Sequence, residues 1–204
     1  MATSQPLQLY PAWLNLKGQK VLLAGGGQVA LRRATTLLSH RARLRVAAPE
    51  VLPLFERWEA EKRIQLFRRV FKESDLDGAR LAFACTDDPQ VNQQIVNSAL
   101  SMGIWVESCT RAEGANLYPG GVIHSGSIAL AISSMGKSPI VTQALRECFE
   151  EVFGADWGDE IDQLISEAGD EGGSHRISPE ELKRKVRESV FMQVKRWGER
   201  KTTS

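Results

Sequence analysis

Residues 20–30 read Lys-Val-Leu-Leu-Ala-Gly-Gly-Gly-Gln-Val-Ala, and the fold turns on how they are read. Lys20 to Ala24 is a compact apolar run, too short for a helix, and it stops at three glycines. A short apolar run bounded by glycine reads as a buried strand. Gln28 to Ser39 follows as a helix, with Val29, Ala30, Leu37 and Leu38 available to pack inward. Strand, glycine turn and helix in that order make the first half of a β–α–β unit.

The same alternation continues outward. Leu44–Ala48 is a second strand ended by Pro49, residues 51–62 a helix, and Ile64–Phe67 a third strand. Arg80–Cys85 gives a fourth. Asp88 then precedes Pro89, a cap followed by proline at the first helical position, and that helix runs to about Met102. Ile104–Val106 makes a fifth strand. Strands and helices alternating in this way predict a parallel sheet covered on both faces.

The pattern breaks after Val106. Gly120–His124 and Ile128–Ser133 are two apolar runs separated by Ser125 and Gly126, which predicts a hairpin. Its edges need covering, so it is a place for subunit contact. Ser138 and Pro139 again pair a cap with proline. Ile140, Val141, Ala144, Leu145, Cys148, Phe149 and Val152 then repeat with helical period as one broad apolar stripe. Trp157, Ile161, Leu164, Ile165 and Ala168 mark another helix, and Gly169 to His175 a linker. Ser178-Pro179-Glu180-Glu181 is a capping box for a last helix, lined on one side by Leu182, Val186, Val190, Val194 and Trp197.

Composition excludes several classes of function. Twenty-six Lys and Arg stand against 25 Asp and Glu, a formal net charge of +1, which offers no electrostatic case for nucleic acid. A local basic pocket for an acidic small molecule is compatible with it. Cys85, Cys109 and Cys148 are far apart, odd in number and without Cys-x-x-Cys spacing. They read as neither a disulfide framework nor a zinc site. His40, His124 and His175 are not paired at metal-ligand spacing, so no metal is expected. Met1 to Leu9 lacks the charged and apolar regions of a signal peptide, and no run is long enough to span a bilayer. A reducing cytoplasm is the plain expectation.

Gly25 to Ala30 fits G-x-G-x-x-A directly between a strand and a helix. Gly25 permits the tight turn, Gly27 lets the backbone approach a pyrophosphate, and Ala30 lets helix and strand pack closely. The helix N-terminus offers N–H groups and its positive dipole end to phosphates. The bland alternative is a glycine turn that only packs. The place for a ribose-binding carboxylate holds Ala47-Ala48-Pro49-Glu50, with Glu50 the acidic candidate. Arg43 and Arg45 lie within the strand and are not placed to read a 2′-phosphate, so NAD is favoured over NADP. The fold expected is α/β, a Rossmann-type parallel sheet followed by a β-hairpin dimerisation region and a C-terminal helical region. The division is residues 1–112 for NAD, 113–140 for dimerisation and substrate, and 141–204 helical.

A wider set of residues resembles one family. Tyr10-Pro11 with Leu14-Asn15-Leu16 precedes the glycine turn. Ala84-Cys85-Thr86-Asp87-Asp88 with Asn92, Pro119 before the hairpin, and Ser133-Ser134-Met135-Gly136-Lys137-Ser138-Pro139 follow it. Together, over roughly residues 8 to 155, they resemble the precorrin-2 dehydrogenase family, which includes the N-terminal module of sirohaem synthase. The resemblance implies oxidation of precorrin-2 to sirohydrochlorin with NAD as hydride acceptor, in a homodimer. It implies that Gln28, Val29, Pro49 and Glu50 touch the cofactor. Thr86 and Asp87 end the fourth strand, where the crevice of such sheets lies.

The resemblance also sets Ser133, Ser134, Lys137 and Ser138 beside the tetrapyrrole. Hydroxyls, a lysine and a capped helix N-terminus suit its carboxylates, and Arg146 is a more distant candidate. An ordinary cap is the alternative. Thr110 stands where the family carries a catalytic aspartate, and a threonine is neither a general base near neutral pH nor a strong anionic metal ligand. Iron insertion is therefore not expected, while dehydrogenation needs chiefly that substrate and nicotinamide be held face to face. Glu107, His124 and Asp87 are candidates for the proton. Against them, His124 at the hairpin turn can be idle, Glu107 a solvated strand end, and Cys109 a small buried residue. A non-catalytic relative that binds tetrapyrrole or dinucleotide as a partner or carrier is the competing reading, and a Rossmann-type sensor or reductase of unrelated substrate a third.

Overall fold

A computed structural model describes residues 8–110, 112–168 and 177–202. They fold as two compact units, Tyr10–Tyr118 and a second built from Pro119 onward. The predicted linker at Gly169–His175 lies outside the described residues.

The first unit is an α/β domain of Rossmann type. Strands β1 (Lys20–Ala24), β2 (Arg43–Ala47), β3 (Ile64–Phe67), β4 (Leu81–Ala84) and β5 (Trp105–Ser108) form one parallel sheet in the order β3-β2-β1-β4-β5. Helices α1 (Gln28–Ser39), α2 (Pro53–Ala60) and α3 (Pro89–Ser101) make the crossovers. Strand order reverses at β1, so the crevice beyond its C-terminal end is the natural ligand site of such a sheet.

Side chains alternate across the sheet and feed two cores. Val21, Leu23, Val46, Leu66 and Phe83 pack with Ala30, Ala34 and Leu37 of α1 and Phe55 and Trp58 of α2. Leu22, Ala24, Ala82, Ala84 and Val106 pack with Ile95, Val96 and Ala99 of α3. Burial on both faces explains why β1 reads as a continuous apolar run rather than an alternating one. Each fully buried Leu, Val or Phe contributes about 1.5–3 kcal/mol.

Element ends depart from expectation by one or two residues where a local device decides. The second helix begins at Pro53, not residue 51, because Leu52 is extended and proline takes the first helical position. The fifth strand runs Trp105–Ser108, later than expected, since it pairs with β4 as far as Ala84↔Ser108. A 3-10 turn at Glu73–Leu76 was not foreseen. Asp88 caps α3 as read, accepting from the N–H groups of Gln90 and Val91.

The second unit holds an antiparallel hairpin, β6 (Gly121–Ser125) and β7 (Ile128–Ile132), with helices α4 (Pro139–Val152), α5 (Ala155–Ala168) and α6 (Pro179–Thr202). Ser138 caps α4 through the Val141 N–H, and Ser178 accepts from the Glu181 N–H at 3.2 Å, half of the expected box. Leu182, Val186, Val190 and Trp197, read onto the inner face of α6, are half-buried. Ser189 and Gln193 are its buried residues, and Val194 is exposed. Trp157 and Ile161 of α5 are buried, and the Trp157 indole donates to Ser189 Oγ at 3.1 Å. No described helix is long and apolar enough to cross a membrane.

The end of β1 generates the first prediction. Gly25 has φ +127°, and a Cβ there would meet the Cys85 carbonyl oxygen at 2.2 Å, whereas one on Gly27 meets open space. Gly25→Ala should lose about 2 kcal/mol or more in urea unfolding, and Gly27→Ala should stay within about 1 kcal/mol of the parent.

Candidate functional site

Four segments meet at the C-terminal edge of the parallel sheet. They are the glycine turn after β1, Ala48–Glu50 after β2, Cys85–Asp87 after β4 and Cys109–Thr110 after β5. Backbone bonds hold each in place. Gly25 N–H donates to the Ala47 carbonyl at 3.0 Å, Leu52 N–H to that of Gly26 at 3.1 Å, Cys85 N–H to that of Ala24 at 2.8 Å, and Cys109 N–H to that of Ala84 at 2.9 Å. Gln28 and Val29 are exposed on the first turn of α1, as are Pro49, Glu50 and Asp87 on their loops. Open space at Gly27 beside a helix N-terminus is what a pyrophosphate requires.

Asn92 organises the far side of this edge. It is wholly buried in α3, and its amide is used in full. Oδ1 accepts from the Thr86 N–H at 3.0 Å and its hydroxyl at 2.8 Å, while Nδ2 donates to the Thr86 carbonyl and to Thr110 Oγ1, both at 2.8 Å. Thr110, read as the replacement for a family aspartate, thus belongs to a satisfied network joining the ends of β4 and β5. Sequence alone gives Asn92 no role. Its signal is a polar residue on the inner face of a helix already capped by Asp88.

Glu107 is not a solvated strand end. It is buried on β5, and its Oε1 is paired with the Arg33 guanidinium of α1. Among the described residues, its Oε2 is the buried side-chain atom without a hydrogen-bond partner. Burial pushes the Glu107 carboxyl above the ordinary value of 4.5, while the Arg33 charge and hydrogen bond pull it down. Arg33 was missed as its partner. The sign was there, since Ala30, Arg33, Ala34 and Leu37 share one helix face, and an arginine on a core face calls for an anion.

The cysteines require a correction. The structure pairs Cys85 with Cys109 as a disulfide, with Cα atoms 5.1 Å apart. Distance along the chain misled, because β4 and β5 are neighbours in register and each cysteine directly follows its strand.

The remaining candidates lie in the second unit. His124 sits within β6 opposite Ala129, not at the hairpin turn, which falls at Gly126–Ser127. The Ser133–Ser138 segment is a tight turn with φ 52° at Met135 and 74° at Gly136. Its hydroxyls staple it. Ser133 Oγ accepts from the Met135 N–H at 3.0 Å, Ser134 Oγ from the Ser138 N–H at 3.0 Å, and Ser138 Oγ from the Val141 N–H at 3.3 Å. Lys137 is exposed on this turn, whereas the Arg146 guanidinium is taken by Glu150. No three His, Cys, Asp or Glu side chains cluster as metal ligands among the described residues.

Comparison with known proteins agrees with this fold. A family model for NAD(P)-binding domains (NAD_binding_7) matches residues 12–121, more than half of the chain. The precorrin-2 dehydrogenase of Bacillus subtilis is 31% identical over 156 residues, covering 76% of this chain and 96% of that protein. The siroheme synthases of Citrobacter koseri and Chromobacterium violaceum are 38% and 36% identical over 143 and 156 residues. Those matches cover 70% and 74% of this chain, which spans about a third of their length (31% and 32%). The solved structure of SirC, a precorrin-2 dehydrogenase, superposes with a TM-score of 0.69 at 23% identity, over 89% of this chain and 98% of that one, and shares the fold.

The raised Glu107 carboxyl sets a pH test. A carboxyl whose folded value exceeds its unfolded one favours folding most below about 4.5, and that contribution fades as pH rises through the folded value. Relative to Glu107→Gln, the parent should therefore lose stability from about pH 4.5 upward, read from urea midpoints at successive pH values. A difference independent of pH would contradict the assignment.

Proposed function

The chain belongs to the precorrin-2 dehydrogenase family of NAD(P)-binding proteins, and from that premise we propose that it oxidises precorrin-2 to sirohydrochlorin with NAD in siroheme synthesis, without inserting iron. The observation that carries this reading is the glycine turn. Gly25 is bent over the Cys85 carbonyl, and Gly27 leaves open space at the start of α1. Gln28 and Val29 on the first turn of α1, Pro49 and Glu50 after β2, and Thr86 and Asp87 after β4 would hold the dinucleotide. When bound, it supplies the acceptor for a hydride from the substrate.

Preference for NAD is supported by what the nearby arginines do. Arg45 donates to the carbonyls of Asp75 and Asp77, and Arg69 forks onto the Asp75 carboxylate at 2.7 and 2.8 Å. Glu50 is exposed after β2, where a carboxylate suits a ribose hydroxyl and repels a 2′-phosphate.

The chain's own residues position substrate and take a proton. Lys137 on the exposed turn, with Ser133, Ser134 and Ser138 around it, suits the carboxylates of the tetrapyrrole. Glu107 carries a buried oxygen without a partner and a carboxyl raised by burial, both apt for a proton acceptor. His124 is the second candidate, and Thr110 positions the end of β5 through Asn92. Thr110 in place of a carboxylate supports oxidation without chelation. A homodimer is supported by α4, which has no buried residue although Ile140, Val141, Leu145 and Phe149 are exposed along it. On this reading residues 1–112 serve the cofactor, 113–140 dimerisation and substrate, and 141–204 form the helical C-terminal domain, whose first helix shares in the dimer contact.

Anaerobic turnover of enzymatically generated precorrin-2 should yield sirohydrochlorin only with NAD present, and Lys137→Ala should raise KM for precorrin-2 about tenfold, the worth of one charged hydrogen bond. No turnover with both ligands bound would favour the carrier reading. In sedimentation velocity the parent should run as a dimer and Leu145→Glu as a monomer; a monomeric parent would remove the dimer.

A further inference from the structure

We propose that Cys85 and Cys109 are a reversible thiol–disulfide site whose closure tightens dinucleotide binding. Three observations carry this. The cysteines follow β4 and β5 directly, and their Cα separation of 5.1 Å lies within the range a disulfide spans. Cys85 is also the residue against which the glycine turn is seated, since its carbonyl is what a Cβ on Gly25 would strike. The residues after the two cysteines, Thr86 and Thr110, are joined through Asn92. The bond therefore closes a ring around the floor of the cofactor crevice.

The two sulfurs differ in access. Cys85 is buried at 7% exposure, and Cys109 is half-buried. Cys109 is thus the thiolate that meets an oxidant such as glutathione disulfide. Its attack breaks the glutathione S–S bond, releases one glutathione thiolate and leaves a mixed disulfide. The Cys85 thiolate then attacks the Cys109 sulfur and expels the second glutathione. Two protein thiols lose two electrons and two protons, and one glutathione disulfide becomes two glutathiones. With the strand ends pinned, less freedom is lost when the dinucleotide binds, so the closed form binds more tightly.

The coupling to the dinucleotide rests on the cofactor reading above, whereas bond formation stands on geometry alone. The test uses the full chain carrying Cys148→Ser, which removes the exposed third cysteine. The protein is equilibrated in glutathione buffers from reducing to oxidising, then read by intact mass and by calorimetric titration with NAD. The expected result is loss of two hydrogens on oxidation, restored by reduction, with a Kd for NAD about fivefold lower in the oxidised form, the low end of couplings between sites. Cys109→Ala on the same background should show neither change. Thiols that stay reduced, or become only glutathionylated, would overturn the site. A bond that forms and leaves Kd unchanged would overturn the coupling. If neither form binds NAD, the cofactor reading falls and the coupling with it, a result the mass spectrum tells apart from the other two.

Discussion

A side chain at residue 25 would have its first carbon 2.2 Å from the Cys85 carbonyl oxygen, closer than any packed pair of atoms can stand. That exclusion lets β1 and β4 stay paired to their last residues and forces the chain into a conformation open to glycine. Because the turn is so tight, α1 starts only four residues after β1 and covers the sheet at once. Ala30, Ala34 and Leu37 then meet the strands closely enough to seal one core. Phosphate-binding geometry and hydrophobic packing are two results of the same close approach.

Polar groups around the crevice are buried in two different ways. Asn92 is neutral and satisfied on both amide atoms, so its burial costs little and it fixes two strand ends relative to one another. Glu107 and Arg33 form an ion pair with one oxygen left over. Desolvation of such a pair offsets much of its attraction, so stability alone does not account for it. A neutral network gives rigidity there, and the charged pair leaves one buried carboxylate oxygen without a partner.

The strands, helices and glycine turn were legible because periodicity and turn chemistry are local. Val21 to Ala24 are buried on both sides and read accordingly, and Asp88-Pro89 and Ser138-Pro139 announce helix starts by rules spanning four residues. Contacts that join distant residues were not legible. Arg33 and Glu107 are 74 positions apart, and Cys85 and Cys109 are 24. Each pair meets only once strand order is known, and spacing along the chain carries no information about that order. The two buried positions of α6, Ser189 and Gln193, were not legible for a related reason. The buried Trp157 indole needs an acceptor, so Ser189 turns inward where a purely hydrophobic pattern would place an aliphatic.

The Arg33–Glu107 pair also bears on how this sequence can drift. Losing the arginine strands a carboxylate in an apolar setting, and losing the glutamate strands a guanidinium that is about a third exposed. The cost is therefore unequal, larger for the carboxylate at 10% exposure than for the guanidinium, which water reaches at 36%. A neutral, hydrogen-bonding pair at the two positions would keep the contact between α1 and β5 without the desolvation cost. Change is therefore easier to accommodate when it begins at residue 107 than when it begins at residue 33.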